Sequence, residues 1–371
     1  MFRDVMTSSV AVVAVVVAGC AAPQPNPAAG ARILSRSPVG AEKGFSAQHV
    51  KASSSHRRRA MECLRAAVHY RNDPAVRAEA VEALEIAGAR ESLPWIRGAL
   101  IDPHPGVRFA ACVTIGQRND KIALRALSRA VTDENCSVQA AALFALHRLG
   151  DESRSGRLPN YVLRGDDATC RRNAALVLGM LDERSGIKVL ARAMKDPDFG
   201  VRQHALEAMA RLGNSEARQE LAFMTSSGVG SDEIFAIGAL AATREPIYAD
   251  TFRYKLTTAP HLETRLAAAR ALGTLGVSDG FPVAIEALRG KPVLRDDTHD
   301  PAPHQRLRIR QMAMAALGAI GRTDALPVLS EFMDDKSDPH VRVSAARAIL
   351  EILGADRRRS LPFSTAPRRG E

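Results

Sequence analysis

Aromatic side chains make up only 4% of the 371 residues, with one Trp and four Tyr. Strand-forming runs are equally sparse, while Ala and Leu are abundant. That shortage argues against a sheet-based core and leaves helix-on-helix packing through small side chains. Cysteine is scarce too: Cys20, Cys63, Cys112, Cys136 and Cys170. No CxxC occurs and no Cys stands at metal-site spacing from a His, so neither a zinc nor a dithiol signature is present. Long apolar runs are missing apart from Val10 to Ala18, which is too short to span a bilayer comfortably. The sequence also lacks a Walker loop, a GxGxxG and an HExxH. Gly276-Val277-Ser278-Asp279-Gly280 matches GxSxG, but a nucleophile elbow needs a strand before it, and here the first Gly closes a helical pattern.

Charge is present but badly distributed for a nucleic-acid binder. Of the net charge of +10, the segment from Ala21 to Arg59 carries +6 and the segment from Ala355 to Glu371 carries +3. The middle is nearly neutral, so no basic groove runs along the fold and no nucleic-acid partner is expected.

The N-terminus reads as an address. Arg3 precedes the apolar run, which ends in Val17-Ala18-Gly19-Cys20. An aliphatic residue, two small ones and a Cys directly after an apolar run resemble the bacterial lipobox, whose Cys becomes the lipidated N-terminus. The resemblance implies a signal peptide over residues 1–19, lipidation of Cys20 and a lipid anchor in the cell envelope, facing the periplasm from the outer membrane in a diderm cell. Residues 20–55, rich in Pro, Gly and Ser, read as a disordered tether with a reach of roughly 30–35 Å. Residues 355–371 read as a basic disordered tail.

Between the tails the chain repeats itself. Val76 has counterparts at Val107, Val138, Cys170, Val201, Asp232, Thr264, Ile309 and Val341, mostly 31 or 32 residues apart. Four residues after each stands Ala, and eight residues after each stands Leu, Ile or Met. Those offsets share one face of a 3.6-residue helix. Gly88, Gly150, Gly213, Gly276 and Gly321 close the helices, and Asp102-Pro103, Asp196-Pro197 and Asp338-Pro339 open them. A second, shorter helix fits between each Gly and the next Asp, for example over Leu93–Leu100, Ile122–Val131 and Ile187–Met194. The expected fold is therefore all-α: a solenoid of about nine helix pairs over residues 56–354.

Asp-Pro-x-x-x-Val-Arg-x-x-Ala-x-x-Ala-Leu-x-x-Leu-Gly resembles the HEAT-like repeats named after phycobilisome lyases, most fully at Asp196-Pro197, Val201-Arg202, Ala205, Ala208-Met209 and Leu212-Gly213. The resemblance implies a HEAT or armadillo-like superhelix and says little about activity. One related activity is a bilin lyase or its helper, which stands as the alternative to a binding scaffold. Another is a di-iron hydroxylase, which needs His-Glu pairs; none of the ten His is followed by Glu.

An Arg follows the first repeat position at Arg77, Arg108, Arg171, Arg202, Arg265, Arg310 and Arg342; Gln139 and Glu233 interrupt the series. Arginines in register with turn aspartates read as a structural ladder between neighbouring repeats rather than an anion-binding stripe. Cys112 reads as a small buried residue, while Cys136 and Cys170 lie near helix starts of adjacent repeats, where a bridge is one option. The insertion over residues 290–305 gathers Asp296, Asp297, His299, Asp300 and His304, better read as an exposed loop than as a cation site, and no cofactor is expected. If the Val-Arg helices line a concave surface, Phe109, Val113, Phe144, Leu176 and Met180 put an exposed apolar stretch there, suited to a protein or peptide partner.

Overall fold

In the computed structural model, residues 47–360 are described, except 89, 291–293 and 295–299. Eighteen α-helices form nine pairs among the described residues. The first three pairs are α1 (Ala47–Ala67) with α2 (Pro74–Ala87), α3 (Leu93–Gly98) with α4 (Pro105–Arg118), and α5 (Leu124–Ala130) with α6 (Cys136–Arg148). Next come α7 (Leu158–Arg164) with α8 (Ala168–Gly179), α9 (Ile187–Ala193) with α10 (Phe199–Arg211), and α11 (Ser215–Met224) with α12 (Gly230–Thr243). The last are α13 (Ala249–Thr258) with α14 (Leu262–Thr274), α15 (Phe281–Arg289) with α16 (Ala302–Ile320), and α17 (Leu326–Asp334) with α18 (Pro339–Ser360). The first helix begins at Ala47, inside the segment expected to be tether.

Local chemistry explains where the even-numbered helices start and stop. Asp73, Asn135, Asp167 and Asp198 accept hydrogen bonds from backbone N–H groups of the first turns of α2, α6, α8 and α10. Twelve residues after each repeat origin the backbone turns left-handed, at Gly88, Gly150, Gly213, Gly276 and Gly321 as expected. The same turn also occurs at Asn119, Asp182 and Arg244, where the sequence offers no Gly. The repeated Ala, from Ala80 through Ala345, is 0% exposed in all nine repeats, so neighbouring helices meet closely there. Eight residues on, Leu84, Ile115, Leu240, Leu272, Leu317 and Ile349 are fully buried, each side chain contributing about 1.5–3 kcal/mol by leaving water.

The array then closes. Each even-numbered helix packs on the next, and α18 packs along α2 as closely as α2 packs along α4. Helix α1 lies against both α18 and α2, as each odd helix elsewhere lies outside two even ones. The even helices therefore form an inner ring of nine, wrapped by an outer layer of nine odd ones. Across the closing seam, Arg59 pairs with Asp334, and the His340 ring nitrogens reach Glu79 at 3.1 Å and Asp73 at 3.2 Å.

Candidate docking rim

The ladder is present and has a consistent geometry. Arg77, Arg108 and Arg171 each grip an aspartate 25 residues on, Asp102, Asp133 and Asp196, through Nε and Nη2 at 2.7–3.0 Å. The remaining Nη1 donates to carbonyls of the turn just before the same helix, as Arg108 does to Asp102 and Pro103. Each aspartate also accepts from its own i+2 backbone N–H, at His104, Asn135 and Asp198. The hydrogen bond to Arg171 holds the Asp196 carboxyl below its ordinary range. In the third repeat Gln139 replaces Arg and donates to the Asp133 carbonyl. In the sixth, Glu233 accepts from Lys255 at 2.7 Å, reversing the polarity of the rung.

The apolar stretch expected on the concave face is not exposed. Phe109, Val113, Phe144, Leu176 and Met180 are between 1% and 8% exposed and belong to the core. Ring closure curves the inner layer tightly, and glycines let adjacent inner helices approach. A Cβ at Gly116 would meet Phe144 at 3.0 Å, and one at Gly179 would meet Ala208 at 2.6 Å. Phe144 thus lies over α4, and Leu176 lines a water-sized cavity with Gly179, His204, Glu207 and Arg211. These five residues pack helices together rather than present a groove.

Polar groups collect inside the ring near the seam. Burial pushes Glu82 up to about 8 and Glu85 up to about 7, against the pull of Arg347 in both cases. Their Oε2 atoms are buried without a hydrogen-bond partner among the described residues. Arg347 donates to Glu351 at 3.1 Å, and burial together with Arg347 brings Arg270 down to about 10. A hydrogen bond from Glu79 is the main cause that raises His340 to about 9. The arrangement can exchange protons near neutrality, but the side chains fill the space between the helices.

Cys136 and Cys170 are joined in a disulfide between the first turns of α6 and α8, their Cα atoms 5.7 Å apart. Cys112 is buried and Cys63 partly so; burial pushes the Cys112 thiol up to about 12. Cys20 lies outside the described residues, as do Asp296, Asp297 and His299. Asp300 pairs with Arg308, which also reaches Glu263 at 3.1 Å, and His304 stands 3.8 Å from Asp300.

Exposed apolar surface lies elsewhere. Among the described residues the large exposed hydrophobics are Ile101, Ile122, Phe199, Phe223, Val229, Ile247 and Tyr254, so five of the seven fall between residues 199 and 254. Phe199 opens α10, Phe223 closes α11 and Val229 precedes α12, which places all three where the chain turns into inner helices. Here α10 and α12 also touch less than any other pair of adjacent inner helices. The sequence carried a signal for this rim: Phe199 stands two residues before a repeat origin, where other repeats have Pro74, Pro105, Ala168, Gly230 or Pro339.

HEAT repeats are recognised at residues 61–147 and 160–233, and a PBS lyase HEAT-like repeat at residues 309–335. A HEAT repeat-containing taxis protein of Halobacterium salinarum is 34% identical over 140 residues, or 37% of this chain and 30% of that protein. Human deoxyhypusine hydroxylase is 17% identical, with 81% of this chain and 98% of that one covered at a TM-score of 0.36. The phycocyanin lyase complex of Nostoc is 20% identical, with 70% and 94% covered at a TM-score of 0.33. Importin beta is 16% identical, with 81% and 47% covered at 0.34. Repeat after repeat, the chain is an all-α solenoid built of HEAT repeats.

Proposed function

We propose that this chain is a lipid-anchored scaffold of the cell envelope that docks a protein or peptide partner on its turn rim at the fifth and sixth repeats, without catalysis of its own. The observation that carries the reading is the convergence of Phe199, Phe223 and Val229, more than half exposed, on the loosest junction of the inner ring. Apolar side chains grouped in this way on a rigid frame are the usual form of a docking surface. HEAT-repeat proteins serve as binding frames elsewhere, and one similar protein, Kap95p, is described with RanGDP.

The anchor rests on the Val17–Cys20 motif, and the disulfide between Cys136 and Cys170 is of a kind that persists in oxidising compartments. Cys20→Ser should block processing and leave a larger precursor; a variant that matures to normal size and still partitions into detergent excludes lipidation at Cys20. For docking, a photo-crosslinking amino acid at position 223 should join one discrete partner in intact cells. The same probe at exposed Glu91, far around the ring, should not. Equal labelling from both positions would remove the rim as the docking surface.

A further inference from the structure

Arg202 occupies the fifth rung in the same posture as Arg108. Its Nη1 donates to the carbonyls of Asp196 and Pro197 at 2.7 and 2.9 Å, matching the bonds of Arg108 to Asp102 and Pro103. The Phe199 ring lies 5.5 Å from the guanidinium carbon, a distance at which the cation stacks on the ring. Stacking uses the face of the guanidinium and the turn carbonyls use one nitrogen. Both leave the Nε–Nη2 edge, the one that holds aspartate on the first, second and fourth rungs.

On those rungs the aspartate comes from 25 residues on. For Arg202 that position is Ser227, and no carboxylate among the described residues meets its Nε–Nη2 edge. Other rungs without an aspartate resolve differently. Arg265 and Arg342 turn Nε onto the carbonyls of Leu256 and Met333, Gln139 removes the charge, and Glu233 reverses it. Only the fifth rung keeps the clamp posture, and exposed Phe199 and Val229 flank it.

We infer that Arg202 is a receptor for an aspartyl turn on a partner protein: an Asp whose carboxylate takes the Nε–Nη2 edge as Asp133 does on Arg108, with apolar neighbours covering Phe199 and Val229. A planar fork prefers a carboxylate presented side-on, and the ladder's own turns show that an aspartate bonded to its i+2 N–H fits. This deepens the docking-rim reading and rests on it.

The probe is the chain's own turn, a fluorescein-labelled peptide copying residues 99–105, Ala-Leu-Ile-Asp-Pro-His-Pro, titrated against the full-length protein in detergent. The wild type should bind it saturably. An Asn-for-Asp peptide should bind at least tenfold more weakly, as should the Asp peptide to Arg202→Lys, which keeps the charge and loses the fork. Ser227→Asp supplies the carboxylate from within, so it should abolish peptide binding and raise the melting temperature. Circular dichroism of each variant separates lost binding from lost fold. No saturable binding to the wild type, equal binding of the Asn peptide, or unchanged binding to Ser227→Asp each overturns the inference. If the position-223 crosslink survives undiminished in Arg202→Lys, the rim stands and its aspartyl chemistry falls.

Discussion

An arginine that closes both edges of its fork on groups of two successive turns ties three segments with one side chain. Arg108 does this at 7% exposure, where solvent screening is weak. Arg108→Ala should therefore lower stability by about 1–3 kcal/mol, read as a shift in the urea midpoint. Arg202→Ala forfeits only the carbonyl bonds and the ring contact, so its shift should be smaller. Equal shifts would mean that the carboxylate adds nothing to the ladder. The arginines were legible because register along a helix is printed in the sequence. Whether the opposing residue 25 positions on is Asp, as at Asp133, or Ser, as at Ser227, was equally readable, but its meaning depended on knowing how the rung is held.

Phe144 shows where such reading stopped. Position along the repeat placed it correctly on the inner face of α6, but not the curvature of the array, and curvature decides whether an inner face is a groove or an interior. With Phe144 at 1% exposure, Phe144→Glu buries a carboxylate without a partner, at a cost of several kcal/mol. Loss of the cooperative melt by circular dichroism is the expected result; an unchanged melting point would return Phe144 to the surface.

At the scale of the helix, the left-handed turn that ends each inner element is set by the fold more than by the residue. Gly88 and Gly321 adopt it without strain, whereas Arg244 holds the same conformation at φ 56° with a full side chain. For a non-glycine residue this conformation costs roughly 1–2 kcal/mol. Arg244→Gly should recover up to about 1 kcal/mol net, since added freedom of the unfolded chain offsets part of the gain. The measurement is the midpoint of chemical unfolding; a loss of stability would mean that the Arg244 side chain contributes more than its strain. Five of these turns could be read directly from their Gly. Asn119, Asp182 and Arg244 could be found only by counting from the repeat origin.

Over the whole molecule, proton binding concentrates where the ring closes. His340, raised to about 9, gives stability that is fully present below about 6.5 and lost as pH climbs through 9. Glu82, raised from 4.5 to about 8, favours its proton in the folded state, so the seam loses stability as pH rises from about 4.5 towards 8. Asp102 and Asp196, held below their ordinary range, lose their contribution as pH falls below about 3.8. The melting temperature should therefore peak near pH 5 and fall between pH 5.5 and 8.5. Glu82→Gln should flatten that fall, and an identical slope in wild type and variant would remove Glu82 as its source. Repeat count and helix pairing were visible in the sequence from the Val, Ala and Leu spacings. Closure was not, because the contacts of His340 with Glu79 and Asp73 join residues some 260 positions apart, outside any local period.

Closure also fixes an arithmetic that open arrays escape. An open stack can gain or lose a unit at either end and merely become longer or shorter. A ring of nine must share one full revolution among its members, about 40° each, so one unit more or fewer changes the angle demanded of every interface. Change in such a chain is confined to what leaves the circumference alone: loops like the one after α15, the two tails, and single side chains on the rims. The 45-residue spacing between Thr264 and Ile309 is of that kind, lengthening the chain by a loop while the number of inner helices stays at nine.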